Sequence, residues 1–167
     1  MIKHPEQRVG VIVDTQNMYH SAKNLYHANV NFQEILKTAI AGRKLVRAIA
    51  YVIESKSVEE ESFFGALDKQ GFEVKSKELQ VFFSGVKKSD LYVGMAVDAI
   101  KLADKLDSIV LVCGDGDFVP MVTYLQESKG CMVEVIAFGK TTSSKLIEVA
   151  DDFTDLGEQP RKYLIKK

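Results

Sequence analysis

Three aspartates stand directly after apolar runs that are typical of buried strands. The apolar residues 109–112 lead to Asp115 and Asp117, which a single glycine separates, and the run VGVIVD ends on Asp14. Because ligands of open α/β sheets bind at the carboxyl ends of the strands, we expect these three carboxylates to lie close together there. The alternative role for each is helix capping, since an aspartate oxygen accepts hydrogen bonds from the first backbone N–H groups of a helix.

A fourth carboxylate, Asp98, falls on the apolar face of a predicted helix over 90–106. At about 100° per residue, Leu91, Met95 and Leu102 form one stripe, and Asp98 lies between the last two. An ionised carboxylate among apolar side chains is costly unless it is paired or bound to a cation. We therefore expect Asp98 either to bind a metal ion or to stand at the edge of the stripe, where it reaches water or pairs with Lys101 or Lys105 of the same helix.

Carboxylates without histidine or cysteine partners suit a hard divalent cation. Mg²⁺ and Mn²⁺ take oxygen ligands, and such an ion would relieve the repulsion between Asp115 and Asp117. A bound ion can hold a phosphodiester, generate a hydroxide and stabilise the developing charge. The three histidines lack zinc-site spacing, and the chain has no Walker A run and no GxSxG motif. The residues thus favour Mg²⁺ or Mn²⁺ as the cofactor.

Polar residues near these carboxylates are candidates for substrate contacts. Asn17 stands three residues after Asp14 and could hold a metal-bound water or a phosphate. Lys87 and Lys88 precede the Asp98 helix and could meet a phosphate backbone. The ordinary alternatives are a plain helix residue for Asn17 and solvated loop residues for the two lysines.

The elements that must position these residues alternate along the chain. Strands are predicted at 9–14, 44–54, 72–77, 79–83, 108–113 and 132–138, helices at 15–26, 57–71, 90–106, 117–130 and 143–151, and a loop at 84–90. Near-continuous apolar strands alternating with helices predict an α/β fold with a parallel sheet covered on both faces. Because the sequence has no repeats and no break in composition, we expect one domain over 1–160 and a basic, frayed C-terminal tail over 161–167.

The composition is that of an ordinary globular domain, with 46% hydrophobic and 27% charged residues among 167. The net charge of -1 gives no general attraction to nucleic acid or membrane, so any attraction to phosphates must come from local patches. Cys113 and Cys131 lie in or beside apolar runs, which predicts buried free thiols. The polar start MIKHPEQ and the lack of an apolar run of about 18–20 residues predict a cytoplasmic protein.

Four segments, VDTQNMY, KKSDLYVGMAVDAI, VCGDGDFVPMVTYLQESKG and SSKLIEVADDF, together resemble the NYN-domain family, the PIN-like nucleases of the LabA-like branch. The resemblance runs from Val9 to about Leu156. It implies a PIN-like, Rossmann-like three-layer sandwich with strand order 3-2-1-4-5 and an acidic, Mg²⁺-dependent site for RNA cleavage. Cys113 stands where the family usually has serine or threonine. The residues that match the family's acidic motifs are Asp14, Asp98, Asp115 and Asp117, with Asn17 beside them.

One position departs from the family's pattern. The LabA-like branch often reads KGDWDVGIALDAI, whereas here Asp90 is kept and Tyr92 stands where a second aspartate is common. Since an aspartate at that position would not be buried in apolar packing, we expect Tyr92 at the mouth of the site. Its ring could stack there on a base of single-stranded RNA. The alternative is that Tyr92 simply packs beside Leu91 and Met95.

Two functions are therefore predicted. The first is a metal-dependent ribonuclease in which an activated water attacks the phosphodiester bond. The second is a catalytically weak or inactive PIN-like module that binds RNA or a protein partner without cutting it. Single-stranded RNA is the expected partner, no membrane is involved, and a homodimer is one possible assembly.

Overall fold

The computed structural model describes residues 1–54, 57–78 and 88–166. Its strands are β1 (Arg8–Asp14), β2 (Asn29–Val30), β3 (Lys44–Glu54), β4 (Glu73–Glu78), β5 (Ser108–Val112), β6 (Met132–Ala137), β7 (Asp152–Asp155) and β8 (Leu164–Ile165). Its α-helices are α1 (Thr15–Tyr26), α2 (Phe32–Ile40), α3 (Val58–Lys69), α4 (Lys88–Ala103), α5 (Val119–Lys129), α6 (Ser144–Val149) and α7 (Pro160–Tyr163). Short 3₁₀ helices cover Gly116–Phe118, Gly139–Thr141 and Leu156–Glu158.

Six parallel strands form the main sheet in the order β4-β3-β1-β5-β6-β7. The predicted order 3-2-1-4-5 is confirmed. It numbers the predicted strands 9–14, 44–54, 72–77, 108–113 and 132–138, which correspond to β1, β3, β4, β5 and β6, and the structure adds β7 next to β6. The central strand β1 lies between β3 and β5, and Asp14 pairs in register with Tyr51. Strands β2 and β8 form a separate antiparallel pair.

Alternation along β1 divides the core into two layers, one on each face of the sheet. Val11 and Val13 pack with Met18 of α1 and with residues of α2 and α3. Ile12 faces the opposite side, where it packs with Met95 of α4 and with residues of α5 and α6. Both faces are therefore buried, which explains why the strands read as continuous apolar runs and confirms the three-layer prediction.

Several boundaries differ from those predicted. Helix α4 begins at Lys88, so residues 88–90 belong to a helix and not to the predicted loop, while the predicted strand at 79–83 lies outside the described residues. The C-terminal tail is not frayed as expected, because Tyr163 and Leu164 are buried and β8 pairs with β2. Apolar contacts and ladder hydrogen bonds thus hold a segment whose basic composition suggested exposure.

Two further expectations concern cysteines and membranes. Cys113 and Cys131 are both free and buried, as predicted. Within the described ranges, no helix is both long and apolar enough to cross a bilayer.

Candidate active site

The end of β1 is tied to the loop that follows β5. Asp14 is buried and caps α1, its Oδ1 accepting a hydrogen bond from the backbone N–H of Asn17 at 3.1 Å. The Oδ1 of Asn17 in turn accepts from the backbone N–H of Gly114 at 3.0 Å. The capping role foreseen for Asp14 is therefore present, and the same hydrogen bonds bring the first turn of α1 against the GDGDF loop.

Cys113 lies between the two aspartates that end these strands. Its Sγ donates to Oδ2 of Asp14 at 3.6 Å and accepts from the backbone N–H of Asp115 at 3.4 Å. Burial, together with the negative charge of Asp14, raises the pKa of Cys113 well above that of an ordinary thiol. The side chain therefore stays a neutral thiol and keeps its proton available as a donor to Asp14.

Asp115 is also held by a side chain of α4, that of Tyr92. The Tyr92 hydroxyl donates to Oδ2 of Asp115 at 3.0 Å, and the Tyr92 ring packs on Phe118 with centroids 4.5 Å apart. Burial raises the pKa of Tyr92 above its usual value, and the charges of Asp14 and Asp115 raise it further. The half-buried Tyr92 thus contacts both Asp115 and the core residue Phe118, and its place at the mouth of the site stays a prediction.

Asp117 lies beside this cluster with its side chain exposed. Its backbone N–H donates to Oδ1 of Asp115 at 2.9 Å, so Asp115 caps the 3₁₀ helix Gly116–Phe118. The two neighbouring carboxylates therefore have different environments: one oriented by hydrogen bonds and one facing solvent. Solvation of Asp117 reduces the repulsion that the sequence suggested.

The two glycines of the GDGDF loop allow a close approach by the loop after β6. A Cβ on Gly114 would lie 2.8 Å from Thr142 Oγ1, and one on Gly116 would lie 2.7 Å from Ser143 Oγ. The backbone N–H of Ser143 also donates to the carbonyl of Gly114 at 2.9 Å. Thr142 and Ser143 thus adjoin the site although sequence analysis missed them; the paired glycines were the signal that something packs closely there.

Asp98 occupies a different place, above strands β3 and β4. Its Oδ2 accepts hydrogen bonds from the Tyr51 hydroxyl at 2.6 Å and from Lys75 Nζ at 2.8 Å. Burial opposes ionisation of Asp98, but these two hydrogen bonds outweigh it and lower the pKa of the carboxyl. Pairing with a lysine, the alternative to a metal, is thus what holds Asp98, although the lysine comes from β4 and not from its own helix.

The structure thus brings together part of the predicted site. Hydrogen bonds link Asp14, Asn17, Tyr92 and Asp115, and Asp117 adjoins them through its backbone. The described residues contain no cluster of three or more histidine, cysteine, aspartate or glutamate side chains that could hold a metal, and the grouping of all four carboxylates around one ion stays a prediction. Lys87 lies outside the described residues, and for Lys88 only the backbone position in α4 is described.

A parallel α/β sandwich with acidic side chains at the carboxyl edge of its central strands is the architecture expected for a PIN-like domain. Residues 8–157 match the family model for the NYN domain. The chain therefore belongs to the NYN-domain family. Proteins of this family are generally PIN-like nucleases, and this membership supports a nuclease-type function.

Two solved structures are similar to this chain. A protein of unknown function, VPA0982 from Vibrio parahaemolyticus RIMD 2210633, is 31% identical with a TM-score of 0.88, over 99% of this chain and 100% of that one. Arabidopsis thaliana UGT89C1 complexed with UDP is 11% identical with a TM-score of 0.44, covering 94% of this chain and 47% of that one. A comparison with curated proteins gives no match.

Proposed function

We propose that this protein is a divalent-metal-dependent ribonuclease that hydrolyses phosphodiester bonds of single-stranded RNA at the carboxyl edge of its sheet. The observation that carries the proposal is the hydrogen-bonded connection from Asp14 through Asn17 to the Gly114–Asp115 loop, in a chain of the NYN-domain family. It orients carboxylates from two adjacent strands at the edge where ligands of open α/β sheets bind.

The donor set at this edge fits Mg²⁺ or Mn²⁺. These ions prefer oxygen ligands, and Mg²⁺ in phosphate-processing sites is usually held by one or two carboxylates together with substrate phosphates and waters. Asp14 and Asp115 supply two such carboxylates, and Asp117 stands next to them as a solvent-facing third. A cluster of three preformed protein ligands is therefore not needed for the ion to bind together with RNA.

In the proposed reaction, Asp14 and Asp115 would hold the ion, with Asp117 next to them. Such an ion, when bound, would supply a more acidic water and neutralise charge on the phosphodiester. Asn17 fixes the position of the loop by accepting a hydrogen bond from the N–H of Gly114, and the Cys113 thiol donates a hydrogen bond to Asp14 that keeps this carboxylate oriented. Asp98, being paired with Lys75, acts at most as a positioning residue for α4.

The test is cleavage of a labelled single-stranded RNA by purified protein in Mn²⁺. Wild type is expected to cleave, and Asp14→Asn and Asp115→Asn are expected to lose at least about 100-fold in rate, because each removes a charged oxygen ligand. Asp107→Asn, which changes an exposed carboxylate paired with Arg8 at the opposite end of the sheet, is the matched control and should cleave like wild type. Equal rates for all four proteins would show that the cleavage comes from elsewhere.

A second candidate function is an RNA-binding module without cleavage, and one observation favours it. The Tyr92 hydroxyl occupies Oδ2 of Asp115, an oxygen that a metal would use, at a position where the family commonly has another acid. In this case wild type would bind RNA without cleaving it, and Tyr92→Asp would gain Mn²⁺-dependent cleavage. Failure of both proteins to cleave or bind RNA would exclude both candidate functions.

A further inference from the structure

A cavity of about 670 Å³ opens beside the candidate active site, between α1, α3 and the carboxyl end of β3. This volume falls in the range of small-molecule sites, about 300–1,000 Å³. Thr15 and Gln16, which directly follow Asp14 in the chain, form part of its wall. The cavity is therefore next to the edge at which a scissile phosphate would lie.

Aromatic rings form two walls of this cavity and are only partly covered. Tyr19 of α1 is 47% exposed and Phe63 of α3 is 38% exposed. Phe63 packs on Phe32, which also lines the cavity, with ring centroids 5.9 Å apart. Partly exposed rings are the stacking platforms that single-stranded nucleic acids use.

The polar groups of the cavity favour a base over a phosphate. Glu59 lines the cavity at the first turn of α3, and its negative charge repels a phosphate placed near it. The Oε1 of Gln70, a lining residue, is buried and accepts no hydrogen bond from the residues that the structure describes, so a turn of this side chain toward the cavity would let a ligand N–H satisfy it. Lys23 also lines the cavity, with its Nζ over the Tyr19 ring at 5.6 Å from the centroid, and can meet a phosphate next to a bound base.

We propose that this cavity is a nucleobase subsite, which takes an unpaired base of single-stranded RNA between Tyr19 and Phe63 while the adjoining phosphate stays outside. This inference rests on the proposed function for the identity of the ligand, but not on cleavage. A basic peptide is the competing occupant, since Glu59 would also attract a positive charge. The base is favoured because the cavity adjoins the first turn of the helix that Asp14 caps.

The test measures binding in EDTA, so that cleavage plays no part. A fluorescent oligoadenylate of about ten nucleotides and an abasic strand of the same length are titrated with wild type, Tyr19→Ala and Tyr124→Ala by anisotropy. Tyr124 lies on α5, outside the cavity wall, and is 44% exposed, so it matches Tyr19 in ring type and exposure. Thermal melting of the variants checks that each is folded.

Tyr19→Ala is expected to weaken oligoadenylate binding about 5- to 100-fold, with Tyr124→Ala equal to wild type and all three proteins alike on the abasic strand. Gln70→Leu should weaken oligoadenylate binding as well, since it removes the unpaired acceptor. Equal affinity of Tyr19→Ala and wild type for oligoadenylate, or equal losses on both strands, would overturn the subsite. Binding of an oligolysine peptide that depends on Tyr19, with RNA binding unchanged, would overturn it and assign the cavity to a protein segment.

The outcomes also separate this subsite from the proposed nuclease activity. Base-dependent binding through Tyr19 without cleavage by any protein would support the subsite and refute the ribonuclease. If cleavage requires Asp14 and Tyr19→Ala changes neither cleavage nor RNA binding, the result would support the ribonuclease and refute the subsite.

Discussion

The two edges of the sheet both bury acidic side chains, but they hold them differently. At the amino edge, Glu134 of β6 accepts hydrogen bonds from both terminal nitrogens of Arg43, at 2.8 and 3.0 Å, and from the Ser108 hydroxyl. At the carboxyl edge, backbone N–H groups, the Cys113 thiol and the Tyr92 hydroxyl donate hydrogen bonds to Asp14 and Asp115. These bonds orient the two carboxylates, whereas Arg43 holds Glu134 in a buried, bidentate ion pair.

This difference separates a structural role from a functional one. The guanidinium of Arg43 is completely buried and the carboxylate of Glu134 nearly so, which gives their pairing a structural role. Under the proposed function, the acids at the carboxyl edge bind a cation instead. Negative charge placed at the end of parallel strands is the arrangement that a cation-dependent phosphodiester site needs.

The largest expected effect comes from breaking the pair at the amino edge. Glu134→Ala leaves the guanidinium of Arg43 buried without its main partner, so we expect the free energy of unfolding to fall by about 3–5 kcal/mol. Urea denaturation measures the change. Asp107→Ala removes an exposed pair with Arg8 at the same edge and should change stability little. Similar losses for the two variants would contradict the distinction between the edges.

At the carboxyl edge, Tyr92 offers the next largest effect. Tyr92→Asp adds an acid beside Asp115, so Mn²⁺ binding should tighten about tenfold or more, because ligand charge tunes affinity. The control Tyr92→Phe removes only the hydroxyl. It shows the effect of losing the hydrogen bond to Asp115 without the effect of an added charge. If calorimetry gives all three proteins the same Mn²⁺ affinity, Tyr92 does not belong to the metal site.

Tyr92 can also be tested as an RNA contact. If its ring stacks on a base, Tyr92→Ala should weaken RNA binding by about 1–3 kcal/mol while the affinity for Mn²⁺ stays unchanged. The packing of the ring on Phe118 predicts the lower end of that range, since one part of the ring is already occupied. Fluorescence anisotropy of labelled RNA in EDTA measures the affinity. If thermal melting shows that Tyr92→Ala is unfolded, the loss of RNA affinity would count against a direct contact.

A smaller effect tests the capping role of the site aspartates. Asp14→Ala removes the acceptor for the Asn17 N–H and should cost about 1 kcal/mol of stability in EDTA, whereas Asp14→Asn keeps an acceptor and should cost less. Asp115→Asn should leave the melting temperature unchanged or raised, because it reduces negative charge at the edge. A large loss for Asp115→Asn in EDTA would indicate that this charge is structural.

The smallest effect concerns Asp98, whose pairing resembles that of the amino edge. Hydrogen bonds from Lys75 and Tyr51 lower its pKa, so its contribution to stability is present above the ordinary aspartate pKa, near pH 4. That contribution is lost as the pH falls through the lower pKa of the folded state. Asp98→Asn should therefore reduce stability at pH 7 and lose its difference from wild type in strong acid. A difference that grew on acidification would contradict the pairing.

Buried strands were the most predictable part of the fold. Strand β3 spans the predicted residues, Lys44–Glu54, because a parallel strand covered on both faces reads as a continuous apolar run. Helix α2 was missed although Asn31 caps it and Phe32, Ile35 and Leu36 mark its buried face. Its short length of nine residues and the two-residue strand before it give a weak periodic signal.

In the candidate site, the sequence predicted the positions of only those residues that stand at the ends of strands. Asp14 and Asp115 follow strands that pair with neighbours in the sheet, so their meeting at one edge could be inferred from position. The partner of Asp98 could not, because helical spacing tells which residues share a face but not which strand lies beneath them. Lys75 of β4 is 23 residues away in sequence and reaches Asp98 only through the folded sheet.

Calorimetric titration of wild type and Asp14→Asn with Mn²⁺ tests whether the carboxyl edge binds a divalent metal. The claim that the carboxyl edge is a divalent-metal site predicts saturable binding by wild type and clearly weaker binding by Asp14→Asn, with Asp107→Asn unchanged. Because Asp14→Asn keeps an oxygen acceptor for the Asn17 N–H, a difference between the two proteins reports on charge and not on folding. Equal Mn²⁺ binding by wild type and Asp14→Asn would contradict the claim.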